Sequence, residues 1–380
     1  MNITQDMYNV TLQQHRNLYV KVNLLNFQFL VVNEISGYTT EMPNITEDAN
    51  SDIRRTCDIK MCIQDGDFNI KKGGQIFLDK YIQLYIGIEN NRNDEIVWFN
   101  EGIYLINQPN YDYDAVTNSL SFQGVDLMAK LTGMRNGNLE GITYIIPSGS
   151  DIRGAVISAL NEGGFNKYII NINEGQELTP YEIKIESGGT IYNILTQLRD
   201  IYCTYQIYFD LDGVFHFEPI PSGQNEISIV DDNIWKNLLI KVSKSVDFED
   251  VKNVIEVWGK ETNSEHYHAL VKDENPDSPF YVNGSVGEIR IVLSGGEYDN
   301  ISSQQLAQDR AEYELYLRAR LNDNITIDCV PIYFLETNKL ITITLPNEDE
   351  SKQYIIQSIS TGGTQSITAS RYYPLYPILD

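Results

Sequence analysis

Short runs of strand-forming residues alternate between apolar and polar positions along the N-terminal third of the chain. Residues 57–63 are typical, because Cys57, Ile59, Met61 and Ile63 fall on one face, with Asp58, Lys60 and Cys62 on the other. Turns rich in Gly, Asn and Asp, such as residues 90–94, separate these runs. Several short strands spaced by turns predict a β-barrel or β-sandwich.

The pattern changes to a helical spacing after residues 147–150, which break the chain and offer two serines as helix caps. Apolar residues three and four apart predict one helix at 152–160 and a second, stronger helix at 191–202. An Asp-Gly turn at 210–213 lies between two aromatic runs and predicts a β-hairpin. Residues 144–223 therefore predict a small α+β domain with two helices.

Strand patterns return after residue 225, and one long helix interrupts them at about 303–321. Ser302 and Gln305 have the spacing of a capping box. The side chains predicted to stack along one side of the helix are Leu306, Tyr313, Leu317 and Leu321, with Ala307 and Ala311 beside them. The predicted fold class is mainly β with an α+β insertion: two β-barrel-like domains flank a small two-helix α+β domain. The predicted domains are residues 1–143, 144–223 and 224–380.

The charge balance excludes several classes of function. The chain has 28 Lys and Arg against 53 Asp and Glu, a net charge of −25, so it repels phosphate backbones and predicts no specific nucleic-acid binding. No basic segment followed by an apolar run begins the chain, and no stretch of about 18 apolar residues occurs, which predicts no membrane insertion. Four sparse cysteines predict free thiols made in a reducing cytoplasm.

Motifs that would carry chemistry are largely missing from the sequence. There is no nucleophile elbow, zinc pair, phosphate loop or dinucleotide fingerprint. His266 and His268 have the spacing of half a metal site, but a solvated pair is favoured because no third ligand lies nearby in the sequence. We therefore expect no catalytic residues, no metal, no cofactor and no enzymatic activity.

Tyrosine is unusually frequent, with 25 residues, and concentrates in the terminal segment Arg371–Pro377. Most tyrosines fit half-buried strand surfaces, although the side chain is also favoured in protein and sugar contacts. The terminal segment cannot be helical. It is interpreted either as a docking tail or as an extended segment that closes the last domain.

Several short sequence segments, taken in their order along the chain, resemble those of hub proteins from long-tailed phage tails and related contractile injection systems. The longest is TIYNILTQLRDIYCTYQIYFDLDGVFHFEPIP at 190–221. Four positions are signature-like, and we expect them to serve turn geometry and packing: Gly124, Asp126, Asp212 and Gly213. The other similar segments lie at residues 54–62, 78–88, 98–106, 120–133, 145–160, 247–257, 307–321, 331–341 and 366–377.

The resemblance implies a structural hub subunit in the virion tail tip or baseplate. Three copies would form a homotrimeric ring with pseudo-sixfold symmetry, which adapts the tail tube to the parts below it. The implied partners are further copies of the chain, a tail tube or distal tail protein, and spike, fibre or baseplate proteins. Many relatives carry a long C-terminal extension, whereas this chain stops at Asp380, so any spike or hydrolase would be a separate chain.

Two alternatives remain open at the level of sequence. Tyrosines and abundant acids also fit a carbohydrate-binding or carbohydrate-cleaving tail protein, which needs an aromatic cleft with two facing carboxylates. A sixfold distal tail or baseplate ring protein would share the class and differ in symmetry. The acidity suggests a further hypothesis, that carboxylates line the ring and repel a passing genome.

Overall fold

A computed structural model describes most of the chain: residues 3–62, 68, 70–113, 118–141, 143–202, 204–223, 226–262, 265–346 and 348–374. The described helices are α1 Gln5–Thr11, α2 Ile152–Glu162, α3 Ile191–Asp200, α4 Asp232–Leu238 and α5 Gln304–Arg318. The strands of the N-terminal third are β1 Leu18–Leu25, β2 Val31–Glu34, β3 Asn44–Asp48, β4 Arg55–Cys62, β5 Tyr81–Glu89, β6 Ile96–Tyr113 and β7 Asn118–Val125. The middle of the chain forms β8 Tyr144–Ile146, β9 Tyr168–Ile170, β10 Ile183–Ile185, β11 Tyr205–Phe209 and β12 Phe215–Pro219. The remaining strands are β13 Leu239–Asp247, β14 Val254–Thr262, β15 Glu265–Lys272, β16 Arg290–Leu293, β17 Asn322–Cys329, β18 Leu340–Ile343, β19 Lys352–Thr361 and β20 Gln365–Arg371.

One large antiparallel sheet contains strands from both ends of the chain, and the predicted fold class is confirmed as mainly β with some α. Its strand order is β13-β17-β20-β19-β3-β4-β7-β6-β5-β1-β2, with β18 paired to β19 beside this path. The N-terminal and C-terminal strands meet where Ile45 of β3 pairs with Thr361 of β19. Among the described strands the sheet stays open, so neither β-rich region closes a barrel by itself.

The two β-rich regions also share one hydrophobic core. Val22, Ile59 and Phe99 from the N-terminal strands are buried in the same cluster as Ile327 and Tyr354 from the C-terminal strands. The alternation predicted for β4 is confirmed, since its apolar positions are buried and its intervening charged positions are exposed. Period-two patterning therefore directs one face of each region into a common interior.

A second hydrophobic core lies between the small middle region and the N-terminal strands, and it is separate from the core described above. The small region contains a three-stranded sheet in the order β11-β12-β9, a two-stranded sheet of β8 and β10, and helices α2 and α3. Its apolar side chains join Ile103 and Leu105 of β6 in one buried cluster. Asp151 caps α2 by accepting a hydrogen bond from the Gly154 amide, so the serine caps predicted there are wrong. The domain boundaries at residues 143/144 and 223/224 stay predictions.

Helix α5 packs against a separate three-stranded sheet in the order β15-β14-β16. Ser303 caps it instead of the predicted Ser302, with its hydroxyl accepting from the Leu306 amide at 3.1 Å. The buried face carries Ala307 and Ala311, as predicted, together with Glu314, and Leu306 packs half-buried beside them. The other members of the predicted apolar stripe, Tyr313, Leu317 and Leu321, are only half-buried. Small alanines allow the helix to approach the sheet closely. No helix in the described part of the chain is long and apolar enough to cross a membrane.

Candidate functional site: the junction between the large sheet and the small region

Three of the four signature-like positions lie where the β11–β12 hairpin meets the large sheet. Asp212 accepts a hydrogen bond from the Asn100 side chain of β6 at 2.8 Å. Gly213 has a φ of +74°, and a Cβ there would lie 3.1 Å from the Leu127 side chain. Leu127 directly follows Asp126 at the end of β7. The hairpin turn and the end of β7 are therefore in contact.

The Asp126 side chain binds backbone amides at this junction. Its carboxylate accepts hydrogen bonds from the amides of Met128 at 2.8 Å and Arg55 at 3.0 Å. Burial raises the pKa of this carboxyl, while the two amide bonds oppose the rise. The side chain thus caps the short 3-10 helix after β7 and ties it to β4.

Gly124 lies where β7 crosses close to its neighbouring strands. A Cβ at this position would lie 2.6 Å from the sulfur of Cys57 and 2.9 Å from Cβ of Tyr104. Such distances leave no room for any side chain. Burial raises the pKa of the Cys57 thiol, so this cysteine is protonated and is unsuited to nucleophilic chemistry.

A buried ion pair links the two ends of the chain beside this junction. Glu47 of β3 lies 3.3 Å from Nε of Arg55 on β4, and both side chains are buried. Glu47 also accepts from the amide and hydroxyl of Thr337, at 3.1 and 2.6 Å. Burial alone would raise the pKa of Glu47, but Arg55, Arg54 and Thr337 outweigh it and lower the pKa. The carboxylate therefore holds the C-terminal half against β3.

Arg54 extends this network into the small region. Its guanidinium donates to Gln206 of β11 at 2.9 Å, and the same oxygen accepts from Asn338 at 2.6 Å. Desolvation lowers the pKa of Arg54, and the charge of Glu47 opposes this. Sequence reasoning missed these residues. The sequence did offer a signal, because two consecutive arginines stand at the start of a strand whose later positions alternate between apolar and polar residues.

His216 lies at the far end of the same network, stacked on Tyr208 with ring centroids 4.8 Å apart. Its ring nitrogens lie 3.1 Å from Asp210 and 3.3 Å from Glu218. Burial would lower the pKa of His216, but these two carboxylates outweigh it and raise the pKa to about 9. The imidazole is therefore protonated near neutral pH and works as a fixed cation inside the hairpin.

The predicted metal half-site has a different environment. His268 lies 3.1 Å from Glu256, and its ring centroid lies 4.1 Å from that of Trp258 in a tilted contact. The side chain of His266 lies outside the described residues. Within the described ranges, no three His, Cys, Asp or Glu side chains are grouped to hold a metal ion. Cys203 also lies outside those ranges.

The start of the terminal tyrosine segment packs back onto the body. Tyr372 donates from its hydroxyl to the Gly223 carbonyl at 2.8 Å, and Tyr373 donates to the Leu321 carbonyl at 3.3 Å. Residues 371–373 therefore close the structure as an extended segment. Residues 375–377 of the predicted docking tail lie outside the described part of the chain.

A cleft of about 740 Å³ opens between the small region, the end of α5 and this closing segment. Four arginines and six tyrosines line it, and we name it the Arg–Tyr cleft. Its lining carboxylates are engaged: Asp200 binds Arg199 at 2.6 and 3.0 Å, and Asp52 accepts from Tyr192 at 2.9 Å. Arg54 belongs to its lining, so the cleft adjoins the buried network.

Known structures share this architecture over nearly the whole chain. The tail protein from Neisseria meningitidis MC58 has a TM-score of 0.63 at 12% identity, covering 93% of this chain and 97% of that one. The 43 kDa tail protein of prophage MuSo2 from Shewanella oneidensis has a TM-score of 0.61 at 15% identity, covering 93% and 98%. A Francisella PdpA-VgrG complex, half-lidded, has a TM-score of 0.53 at 11% identity, and this chain covers 60% of that chain with 97% of its own length.

Residues 277–376 match a family model described as Domain of unknown function (DUF5048). No curated protein matches the sequence. The structural likeness, which extends almost end to end in both tail proteins, shows that the chain has the fold of phage tail proteins.

Proposed function

We propose that this chain is a structural, non-enzymatic subunit of a phage-type tail tip or baseplate, located in the virion. The observation that carries the proposal is the coverage of the structural match, which includes 93% of this chain and 97–98% of two tail proteins. A shared domain alone would leave large parts of either chain unmatched. Fold likeness alone does not establish function, so assembly must be tested directly.

The finer part of the proposal is a trimeric hub ring with pseudo-sixfold symmetry. Two antiparallel groups of strands lie side by side in one sheet, which supports two comparable surfaces per copy. The sheet ends in the edge strands β2 and β13, and exposed apolar residues such as Val31 and Ile240 lie on them. Contacts between unlike edges of successive copies are heterologous and close into a ring when the rotation allows it.

The proposed partners are a tail tube or distal tail protein on one side and spike, fibre or baseplate proteins on the other. The match to a protein solved within a PdpA-VgrG complex supports contacts with other proteins of such machines. The ring would surround the path of the genome. The net charge of −25 on each chain would repel the nucleic acid and so oppose its adhesion to the ring.

A carbohydrate-cleaving function is less favoured by the geometry. Such an enzyme needs two facing carboxylates on opposite sides of a sugar. In the Arg–Tyr cleft, Asp200 is paired with Arg199 and Asp52 holds the hydroxyl of Tyr192. We therefore propose that the cleft does not hydrolyse glycans.

The test is the mass and symmetry of the purified full chain, by light scattering and negative-stain imaging. We expect three times the chain mass and a ring with six lobes around a hole. A ring of six copies would contradict the hub and favour a distal ring protein. Release of reducing ends from host polysaccharide by the same preparation would contradict the non-enzymatic part.

A further inference from the structure

The large sheet ends in two unlike edge strands, and each of them has a bulge that exposes an apolar side chain. In β2 the register against β1 slips by one residue, which leaves Val32 outside the ladder. In β13 the register against β17 slips in the same way and leaves Ile240 outside it. Val32 is 51% exposed and Ile240 is 59% exposed. Because a bulge changes the direction of its extra side chain, both edges present a β-branched apolar residue to solvent.

The apolar surface at the β2 edge extends well beyond its bulge. Leu30 and Val31 are more than half exposed, as is Phe27 in the turn between β1 and β2. Leu78 is also exposed, and it lies at the same end of the sheet, because β5 begins opposite the end of β1. A cluster of large exposed apolar side chains on a soluble protein typically marks a contact with another protein.

The β13 edge has a matching apolar surface. All its residues except Leu239 and Val242 are exposed, and they include Val246. Phe248 directly follows the strand and is also exposed. Lys244 is already neutralised on this strand, since its ammonium lies 2.9 Å from a carboxylate oxygen of Asp323 and 2.9 Å from one of Glu348.

The two edges carry unpaired charges of opposite sign. Glu34 is the last residue of β2 and Lys241 directly follows the β13 bulge, and both are exposed. Among the residues that the structure describes, neither side chain lies within ion-pair distance of an opposite charge. Contact between two β2 strands, or between two β13 strands, would bring like charges together. Contact between β2 and β13 brings opposite charges together and is therefore favoured.

These features favour a second copy of this chain as the occupant of each edge. Both complementary edges belong to the same chain, so one contact repeated from copy to copy covers both of them. A different protein would have to supply two separate surfaces, one cationic for β2 and one anionic for β13.

We propose that β2 of one copy packs edge to edge against β13 of the next copy. Val31 and Val32 pack on Ile240, and Glu34 pairs with Lys241. The bulges interrupt both ladders, so side-chain packing carries the contact instead of a long run of backbone hydrogen bonds. Such a head-to-tail contact closes into a ring when the rotation between copies allows it. The inference rests on the proposed assembly of copies but is independent of their number.

The test mixes two variants of the full chain, each of which loses a different edge. Val32→Lys places a charge at the β2 bulge, and Ile240→Lys places one at the β13 bulge. By light scattering we expect each variant alone to have the mass of one chain, because the added charge would have to leave water at the contact. In an equimolar mixture the intact β13 of the first variant meets the intact β2 of the second. The mass should then rise to that of two chains and no further.

The mixture is measured at about 100 μM chain, where a single contact with a micromolar Kd is almost fully formed. A mixture that stays at the mass of one chain would overturn the proposal. A ring formed by either variant alone, or a natural protein that stays monomeric at this concentration, would also overturn it. Ile227→Lys is the control, because it adds the same charge at a residue that is 87% exposed outside the described strands. It should assemble like the natural protein.

Urea unfolding verifies that each variant is folded, and exposed charges provide a second pair of changes. Glu34→Lys alone and Lys241→Glu alone should each raise the concentration needed for assembly several-fold. The double variant should restore the natural value, because the two charges are exchanged. A double variant that assembles no better than the single ones would contradict the pairing of Glu34 with Lys241.

The mixture distinguishes this contact from the trimeric hub, because it gives the same mass whether the natural ring has three copies or six. A trimeric natural ring with no dimer in the mixture would refute the edge contact and leave the hub. A dimer in the mixture together with a natural ring of six copies would refute the trimer and leave the edge contact.

Discussion

Glu47 and Arg55 are directly opposite each other on β3 and β4, and they form a buried ion pair with a nitrogen–oxygen distance of 3.3 Å. The same carboxylate accepts two hydrogen bonds from Thr337, which lies 290 residues further along the chain. The contact between the neighbouring strands β3 and β4 thus holds the carboxylate that binds Thr337 from the C-terminal part of the chain. Because the pair lies out of water, each charge depends on the other for its stability.

Glu47→Gln should destabilise the protein by about 3–5 kcal/mol, because it leaves the charge of Arg55 buried and uncompensated. Urea unfolding of the purified chain measures this loss. Glu186→Gln is the matched control, since Glu186 forms an ion pair with Lys184 on the exposed surface, at 2.7 Å. We expect no measurable change there. Equal stability of both variants would show that Arg55 finds other compensation.

The sequence predicts the local features of this fold well. The alternation in β4 follows from side chains that point to opposite faces of a strand, and α3 begins at Ile191 as its apolar spacing predicts. The hairpin around residues 210–213 also forms as predicted, because its turn needs the positive φ that Gly213 supplies. In each case neighbouring residues carry enough information.

Long-range features were not predictable from these patterns. The pairing of β3 with β19 joins strands about 300 residues apart, and period-two alternation states only that each strand has a buried face. For the same reason the sequence did not show that Arg54 meets Gln206 and Asn338, or that arginines and tyrosines from distant segments form one cleft. Tertiary packing also decided which face of α5 is buried.

Gly124→Ala should destabilise the chain by about 1–3 kcal/mol through overpacking. Its new Cβ would lie 2.6 Å from the sulfur of Cys57 and 2.9 Å from Tyr104, both in the buried sheet. Gly363→Ala is the control, because no atom lies within 4 Å of a Cβ at that turn. Urea midpoints of the two variants measure the difference. A harmless Gly124→Ala would mean that β7 can move away from β4.

His216 should make the stability of the protein depend on pH between about 6.5 and 9. Its pKa is about 9 in the folded chain, against about 6.5 when unfolded, so its contribution is complete below 6.5 and is lost as pH rises through 9. The free-energy difference between the natural protein and His216→Gln should therefore narrow over this window. Urea unfolding at several pH values measures it.

The control for this pH dependence is His15→Gln, because His15 is exposed and lies outside the hairpin network. The narrowing should follow the His216 substitution and exceed any change seen with this control. Proton NMR of the His216 ring gives an independent measurement, with an expected midpoint near pH 9. A midpoint near 6.5 would show that Asp210 and Glu218 do not hold the charged form.

Val31→Lys should prevent ring assembly without weakening the fold. Val31 lies on the edge strand β2 and is 58% exposed, so its side chain contributes little to the stability of a single copy. A lysine on an edge strand opposes pairing with another strand, since its charge would have to leave water. Light scattering should therefore show monomers, while the urea midpoint stays within error of the natural protein.

Ile227→Lys separates an edge effect from a general effect of added charge. Ile227 is 87% exposed and lies outside the described strands, so the same change there should leave the ring intact. If both variants assemble like the natural protein, copies do not meet through β2, and the contact must use another surface. If both fail to assemble, added positive charge alone is responsible, and the edge has no special part in assembly.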